Sequence, residues 1–283
     1  MSERYAVIGN PIHHSRSPDI HAAFARQTHQ DIVYEKLLAP LDGFARTLSD
    51  FRAAGGKGVN VTVPFKEEAL RVADSASERA TLAGAANTLR FDGNEIYADN
   101  TDGIGLITDI QRNLGFSLKD KSILLMGAGG AARGVLGQLI AQQPRLLYIA
   151  NRTHAKAVTL ASIPSNIHPD VPGLMLEGLT YHELRTHSFD CVINATSASL
   201  HGELPPLPED LFKEGSLAYD MMYGSHDTPF MQYARQHGAS RVQDGLGMLV
   251  EQAASAFELW RGIHPDTAPV LAELRASLQN SPA

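Results

Sequence analysis

Ser122-Ile-Leu-Leu-Met126 has the apolar continuity of a short buried strand. It runs straight into Gly127-Ala128-Gly129-Gly130-Ala131-Ala132, after which the pattern turns helical. A second strand-like run, Leu146–Ala150, ends in Asn151-Arg152-Thr153. Strand, glycine turn, helix and strand in this order make a βαβ unit that binds dinucleotides. The glycines permit a tight turn and let backbone N–H groups approach a pyrophosphate at a helix N-terminus. An NAD site carries Asp or Glu at the end of the second strand, to hold the ribose hydroxyls. Here that place holds Arg152 between two small polar residues. A guanidinium grips phosphate through charge-assisted, often bidentate hydrogen bonds and stacks on flat rings. The expected cofactor is therefore NADP, whose extra 2′-phosphate this end of the unit suits.

Size and charge limit what else the chain can be. At 283 residues it has room for two domains, each with its own core. The 24 basic and 31 acidic residues leave a formal charge of −7, which argues against a nucleic-acid surface and leaves anion binding to local groups. Cys191 is the single cysteine, so no internal disulfide is expected, and its apolar setting, Asp190–Asn194, predicts a buried, inert thiol. The start of the chain carries too short an apolar run for a secretory signal, and no run approaches the roughly 20 residues that span a bilayer. A cytoplasmic protein without membrane partners is expected. The histidines, although 12 in number, lack a metal-binding spacing, and no metal is expected.

The first hundred residues alternate strand and helix: strands at 5–8, 32–38 and 58–63, helices at 19–28, 41–53 and 65–73. Two further strands, 87–91 and 95–98, flank Asp92-Gly93-Asn94 as a hairpin. A connecting helix is expected over 104–114, closed by Gly115. A second βαβ series follows, with strands near 122–126, 146–150, 189–194 and 217–220, and the stretch from Gly245 is helical to about 278. The fold class is α/β. An N-terminal unit with a mixed sheet, 1–103 with 250–283, is read as the substrate-binding, catalytic domain. A Rossmann-type unit, 104–249, is read as the cofactor domain, with a cleft between them.

A nicotinamide supplies hydride, so a titratable group must move the accompanying proton. Lys66, at a helix start directly after a strand, is one candidate; Asp102, at another helix start, is a second. Each in isolation has an ordinary reading, a solvated lysine and an N-cap aspartate.

The motifs together narrow this further. Asn60-Val-Thr-Val-Pro-Phe-Lys66, Ala86-Asn-Thr88, Asp99-Asn-Thr-Asp-Gly103 and Asp244-Gly-Leu-Gly-Met248 resemble the successive signatures of the shikimate dehydrogenases. So do Ser15-Arg-Ser17-Pro18, the Gly127–Ala132 turn and Asn151–Thr153, all in family order between residues 9 and 252. The resemblance implies reversible NADP(H)-dependent reduction of 3-dehydroshikimate to shikimate, in aromatic amino-acid biosynthesis. It implies that Lys66 and Asp102 form the catalytic pair, with Lys66 as acid/base. It implies that Ser15, Ser17 and Tyr223 bind the substrate carboxylate, while Asn60, Thr62, Asn87 and Gln252 meet its hydroxyls. On the cofactor side it adds Lys156, Met221 and Gly245 to Gly127–Ala131 and Asn151–Thr153. Glu78 falls where the family sometimes touches cofactor, but an acid beside phosphates is a poor fit. The partner is thus a small molecule, with the chain a monomer or homodimer. Two rivals stand beside this reading: a quinate/shikimate dehydrogenase with broader cofactor use, and a non-catalytic NADP(H)-binding regulator.

Overall fold

A computed structural model of the chain describes residues 2–167, 173–196, 198 and 202–280. The chain divides into two compact units, one comprising the residues up to Gly105 with Leu249–Leu274, the other Leu106–Met248 with the chain from Arg275 on. The sequence reading carries all of 250–283 with the first unit. Arg275 instead holds the end of the last helix to the second, through a carboxylate of that unit, Asp244.

The first unit runs β1 (Glu3–Gly9), α1 (Ser17–Thr28), β2 (Ile32–Leu38), α2 (Phe44–Ala53), β3 (Gly56–Val61), α3 (Lys66–Arg71), β4 (Ser75–Ala76), α4 (Glu78–Ala83), β5 (Thr88–Asp92) and β6 (Glu95–Asp99). Its six strands lie in the order β2-β1-β3-β5-β6-β4. β1 pairs parallel with β2 and β3, while β3–β5 and β5–β6 are antiparallel, so the sheet is mixed as expected. Asp92 pairs with Glu95, and Gly93 takes φ +60°, the left-handed conformation a two-residue hairpin loop asks for. Ile8, Phe44, Val59, Val61, Phe65 and Leu89 form a core on this sheet. α2 starts three residues later than its apolar pattern suggests. Gly43 N–H closes a turn onto the Pro40 carbonyl at 2.9 Å and keeps 41–43 out of the helix.

In the second unit the strands are β7 (Ser122–Met126), β8 (Leu146–Ala150), β9 (Met175–Leu179), β10 (Phe189–Asn194), β11 (Phe212–Asp220) and β12 (Arg241–Gln243). All pair parallel, in the order β12-β11-β10-β7-β8-β9. Every residue of β7 is buried, which explains its unbroken apolar run: helices cover a parallel sheet on both faces. The intervening helices are α6 (Gly130–Ala141), α7 (His154–Ile167) and α8 (Pro229–Gln236). α5 (Asp102–Thr108) leads from the first unit into the second, α9 (Leu246–Arg261) leads back, and α10 (Thr267–Gln279) closes the chain.

The connecting helix is not the single α-helix the pattern suggests. After Thr108 it widens into a π-helical turn, Asp109–Asn113, with Leu114 N–H donating to the Asp109 carbonyl five residues back. Asp109 is buried and accepts from Tyr219 Oη at 2.7 Å and from Asn113 Nδ2 at 2.9 Å. A buried carboxylate needs such donors. α4, β4, β9 and β12 have no counterpart in the sequence reading; three of the four are short. Cys191 is buried and unpaired, and burial pushes its thiol far above the ordinary value.

Candidate active site

In the first unit, β1 and β3 set the frame. Thr62 N–H donates to the Ile8 carbonyl at 2.9 Å, and Phe65 N–H turns back onto the Thr62 carbonyl at 3.0 Å. That turn places Lys66 at the first position of α3. The Lys66 carbonyl accepts Ala86 N–H at 2.8 Å, tying the start of α3 to the segment that enters β5. Asp102 begins α5, its N–H held by Asn100 Oδ1 at 3.1 Å.

The two candidates meet there. Lys66 Nζ lies 2.5 Å from Asp102 Oδ2, with 23% of the lysine and 9% of the aspartate side chain exposed. The other carboxylate oxygen, Oδ1, accepts from Asn87 Nδ2 at 2.7 Å. Asn87 Oδ1 in turn accepts Thr101 N–H at 2.8 Å. Gln252 Oε1 accepts from Asn87 Nδ2 at 3.2 Å, while Gln252 Nε2 donates to the Leu249 carbonyl at 2.9 Å. Asn60 joins through Asn87, donating from Nδ2 to its carbonyl at 3.3 Å and to Thr88 Oγ1 at 3.1 Å. An amine kept partly accessible, a carboxylate held from both sides and three amides within one hydrogen-bonded group can move a proton and grip hydroxyls.

Ser15 and Ser17 bond to each other, Oγ to Oγ at 3.2 Å, where α1 begins. Among the described residues the Thr62 hydroxyl has no bond to the Asn87 group. Tyr223 belongs to the second unit, in the loop between β11 and α8. Four residues of the network fall outside the set the sequence points to: Tyr34, whose hydroxyl donates to Asn60 Oδ1 at 2.7 Å, Thr88, Asn100 and Thr101. The last three stand inside the motifs already singled out. Tyr34 sits in an ordinary strand pattern and carries no local signal.

The glycine turn of the second unit follows β7. Gly127 takes φ +105°, and a Cβ there would come to 2.9 Å from the Ala195 carbonyl oxygen, so only glycine fits. Gly129 caps α6 without a side-chain hydrogen bond, and the space beside Gly129 and Gly130 is open. The first N–H groups of α6 are thus left for a ligand. A cleft of about 940 Å³ is lined by Gly127, Ala128, Gly129, Gly130, Ala131, Asn151, Arg152, Thr153 and Lys156, with Tyr181 and Thr196 among the others. Arg152 and Lys156 are exposed, and neither has a carboxylate partner among the described residues. An open glycine cradle beside two cations without a carboxylate partner among the described residues fits a dinucleotide with an additional phosphate, although Glu203 also lines the cleft. Tyr181 is pushed up to about 12 by burial, partly offset by Arg152 nearby. Met221 and Gly245 lie outside that lining and against each other. Gly245 N–H donates to the Met222 carbonyl at 2.9 Å, and a Cβ on Gly245 would overlap the Met221 carbonyl.

No group of three or more His, Cys, Asp or Glu is placed to hold a metal among the described residues. Nor is any helix there long and apolar enough to cross a membrane.

The chain is similar to known proteins over nearly its whole length. Residues 7–89 match the profile described as the shikimate dehydrogenase substrate binding domain, residues 109–201 that of shikimate / quinate 5-dehydrogenase, and residues 245–275 that of the shikimate 5′-dehydrogenase C-terminal domain. The chain is 61% identical over 278 residues to the shikimate dehydrogenase (NADP(+)) of Dechloromonas aromatica, covering 98% of this chain and 99% of that one. It is 59% identical over 278 residues to the protein of the same name from Herminiimonas arsenicoxydans, with the same coverage. The crystal structure of shikimate 5-dehydrogenase from Thermus thermophilus, in complex with NADP(H) and shikimate, superposes with a TM-score of 0.85 at 33% identity, covering 98% of this chain and all of that one (100%).

Proposed function

Because the chain belongs to the shikimate dehydrogenase family, we propose that it catalyses the reversible, NADP(H)-dependent reduction of 3-dehydroshikimate to shikimate. This is an oxidoreductase reaction of aromatic amino-acid biosynthesis. The first unit serves as the substrate domain and the second as the cofactor domain. The observation that carries the chemistry is the 2.5 Å contact of Lys66 Nζ with Asp102 Oδ2, backed by the 2.7 Å bond from Asn87 to the other oxygen.

NADPH, when bound, supplies hydride to the carbonyl carbon. Lys66 donates a proton from Nζ to the carbonyl oxygen, which becomes the shikimate hydroxyl; the lysine is left neutral and recovers its proton from water. In the oxidative direction the same amine takes the hydroxyl proton. Asp102 aims Nζ through a charge-assisted bond, and Asn87 keeps the carboxylate from turning. Ser15, Ser17 and Tyr223 bind the substrate carboxylate. Asn60, Thr62, Asn87 and Gln252 bind its hydroxyls, and a site built to pair hydroxyls strongly rejects an analogue lacking one. Gly127–Ala131 receive the pyrophosphate, Asn151, Arg152, Thr153 and Lys156 the 2′-phosphate end, and Met221 with Gly245 the remainder of the cofactor. A cytoplasmic setting, where thiols stay reduced, suits the lone unpaired Cys191.

The test is turnover of shikimate with NADP⁺, followed by absorbance of the reduced cofactor, against quinate and against NAD⁺. Fast oxidation of shikimate with NADP⁺ is expected. Absence of turnover with that pair, in protein that binds NADP⁺, would sink the proposal.

A further inference from the structure

The amides of Asn60 and Asn87 reach the same orientation by a chain of constraints that starts at the backbone. An amide side chain has one accepting and one donating end, and the surroundings decide which way it points. The Asn87 carbonyl can only accept, so the end of Asn60 facing it at 3.3 Å is Nδ2. Asn60 Oδ1 then faces Tyr34, whose hydroxyl must donate to it, at 2.7 Å. The second hydrogen on Asn60 Nδ2 goes to Thr88 Oγ1 at 3.1 Å, so the threonine accepts there and spends its own hydrogen on Asn87 Oδ1, 2.9 Å away. Thr101 N–H, which can only donate, reaches the same Oδ1 at 2.8 Å. Asn87 Nδ2 is thereby turned toward Asp102 Oδ1, leaving Oδ2 to Lys66.

On these contacts, and resting on the dehydrogenase reading above, we propose that Tyr34 and Thr88 are positioning residues for the reaction: their hydroxyls lock the Asn60 and Asn87 amides in register with the Asp102–Lys66 pair. Thr88 is fully buried, with one bond accepted from one amide and its single hydrogen donated to the other, so its hydroxyl acts as a coupler and touches no ligand. Tyr34 fixes the far end. Its ring lies flat on His21, 4.2 Å between centroids and 7° between planes, which leaves the phenol little freedom to swing away from Asn60. The His21 ring is itself buried against Phe24, Phe257 and Trp260. In a low-dielectric setting such a linked set of hydrogen bonds acts as one unit, so loss at either end is felt along it.

The two ends predict different kinetic signatures. Tyr34→Phe keeps the stacked ring and removes the hydroxyl that meets Asn60 and Ser17, both on the substrate side, so KM for shikimate rises by about tenfold and kcat falls by less. Thr88→Val keeps the shape and frees Asn87 beside Asp102, so kcat falls by about tenfold or more. Thr88→Ser, which restores the hydroxyl, returns kcat to near the wild-type value. NADP⁺ affinity, read by titrating protein fluorescence without substrate, is the same in all four proteins. Should Thr88→Val fold poorly, the Tyr34→Phe and Thr88→Ser arms carry the test. Wild-type kcat and KM in Tyr34→Phe, or in a folded Thr88→Val, overturn the positioning roles, as does a folded Thr88→Ser no better than valine. A wild-type protein that binds NADP⁺ but leaves shikimate unoxidised overturns the functional reading itself, a result distinct from any of these.

Discussion

Lys66 and Asp102, separated by 36 positions in the chain, stand 2.5 Å apart, nitrogen to carboxylate oxygen. The carboxylate is nearly covered, and its second oxygen is taken by Asn87, so it has one direction left in which to act. That arrangement supports the unequal roles proposed above, in which the more open amine exchanges protons and the carboxylate aims it.

Lys66→Ala is therefore expected to lower kcat for shikimate by about 10²-fold or more, the usual scale of general acid–base catalysis. Asp102→Asn should give a loss of the same kind. The glycine-lined cleft proposed for the cofactor is lined by residues of the other unit, so NADP⁺ affinity should be nearly intact in both variants. Steady-state kinetics beside a fluorescence titration separates the two quantities; undiminished turnover in Lys66→Ala would remove the lysine from the mechanism.

Arg152 is exposed at the end of β8 with no carboxylate partner among the described residues, leaving its guanidinium available to phosphate. Arg152→Ala removes charge-assisted bonds worth about 1.5–3 kcal/mol, so NADP⁺ affinity should fall roughly 10- to 100-fold. NAD⁺ lacks that phosphate and should lose far less. Titration of both cofactors checks this, and equal losses would mean that the 2′-phosphate sits elsewhere.

Gly247, within α9, faces the buried carboxylate of Asp109, and a Cβ on it would overlap both oxygens. Helix propensity favours alanine over glycine by about 1 kcal/mol. Here it should lose, because Asp109 is fastened by Tyr219 and Asn113 and cannot move aside without breaking those bonds. Overpacking of this kind costs about 1–3 kcal/mol, and displacing a bonded carboxylate adds to it. Gly247→Ala should lower the midpoint of chemical denaturation; a raised midpoint would show that Asp109 yields.

Burial lowers the His21 pKa to about 3, opposed in part by the Asn60 side chain. The unfolded chain thus binds a proton at this site near pH 6.5 that the folded chain refuses. Between these values the unfolded state holds more protons, so stability rises with pH and is lost as pH falls. His21 alone contributes a slope of up to about 1.4 kcal/mol per pH unit below pH 6.5. Urea unfolding at pH 6.5 and 5 should show it, with a shallower slope in His21→Leu. Parallel slopes would mean that the folded protein protonates this ring.

Much of the architecture is written locally. The unbroken apolar run of β7, the glycines after it and the arginine after β8 depend only on residues near in sequence, and strand period, turn chemistry and helix caps act over that range. The positions of Lys66 and Asp102, each at a helix start after a strand or turn, are legible for the same reason. Among what escaped were β4 and β12, too short to show a period, and the π-helical turn at Asp109, which answers to Tyr219 far along the chain.

The sequence alone determined two α/β units, a glycine turn suited to a phosphorylated dinucleotide, and a roster of polar residues in family order. Only the tertiary structure decided that Tyr34 and Thr88 belong with them, that each amide points one way, and that Arg275 fastens the last helix to Asp244. The reason is physical: periodicity and turn propensity are properties of neighbouring residues, whereas a hydrogen bond's direction is settled by whichever donor or acceptor the fold brings opposite.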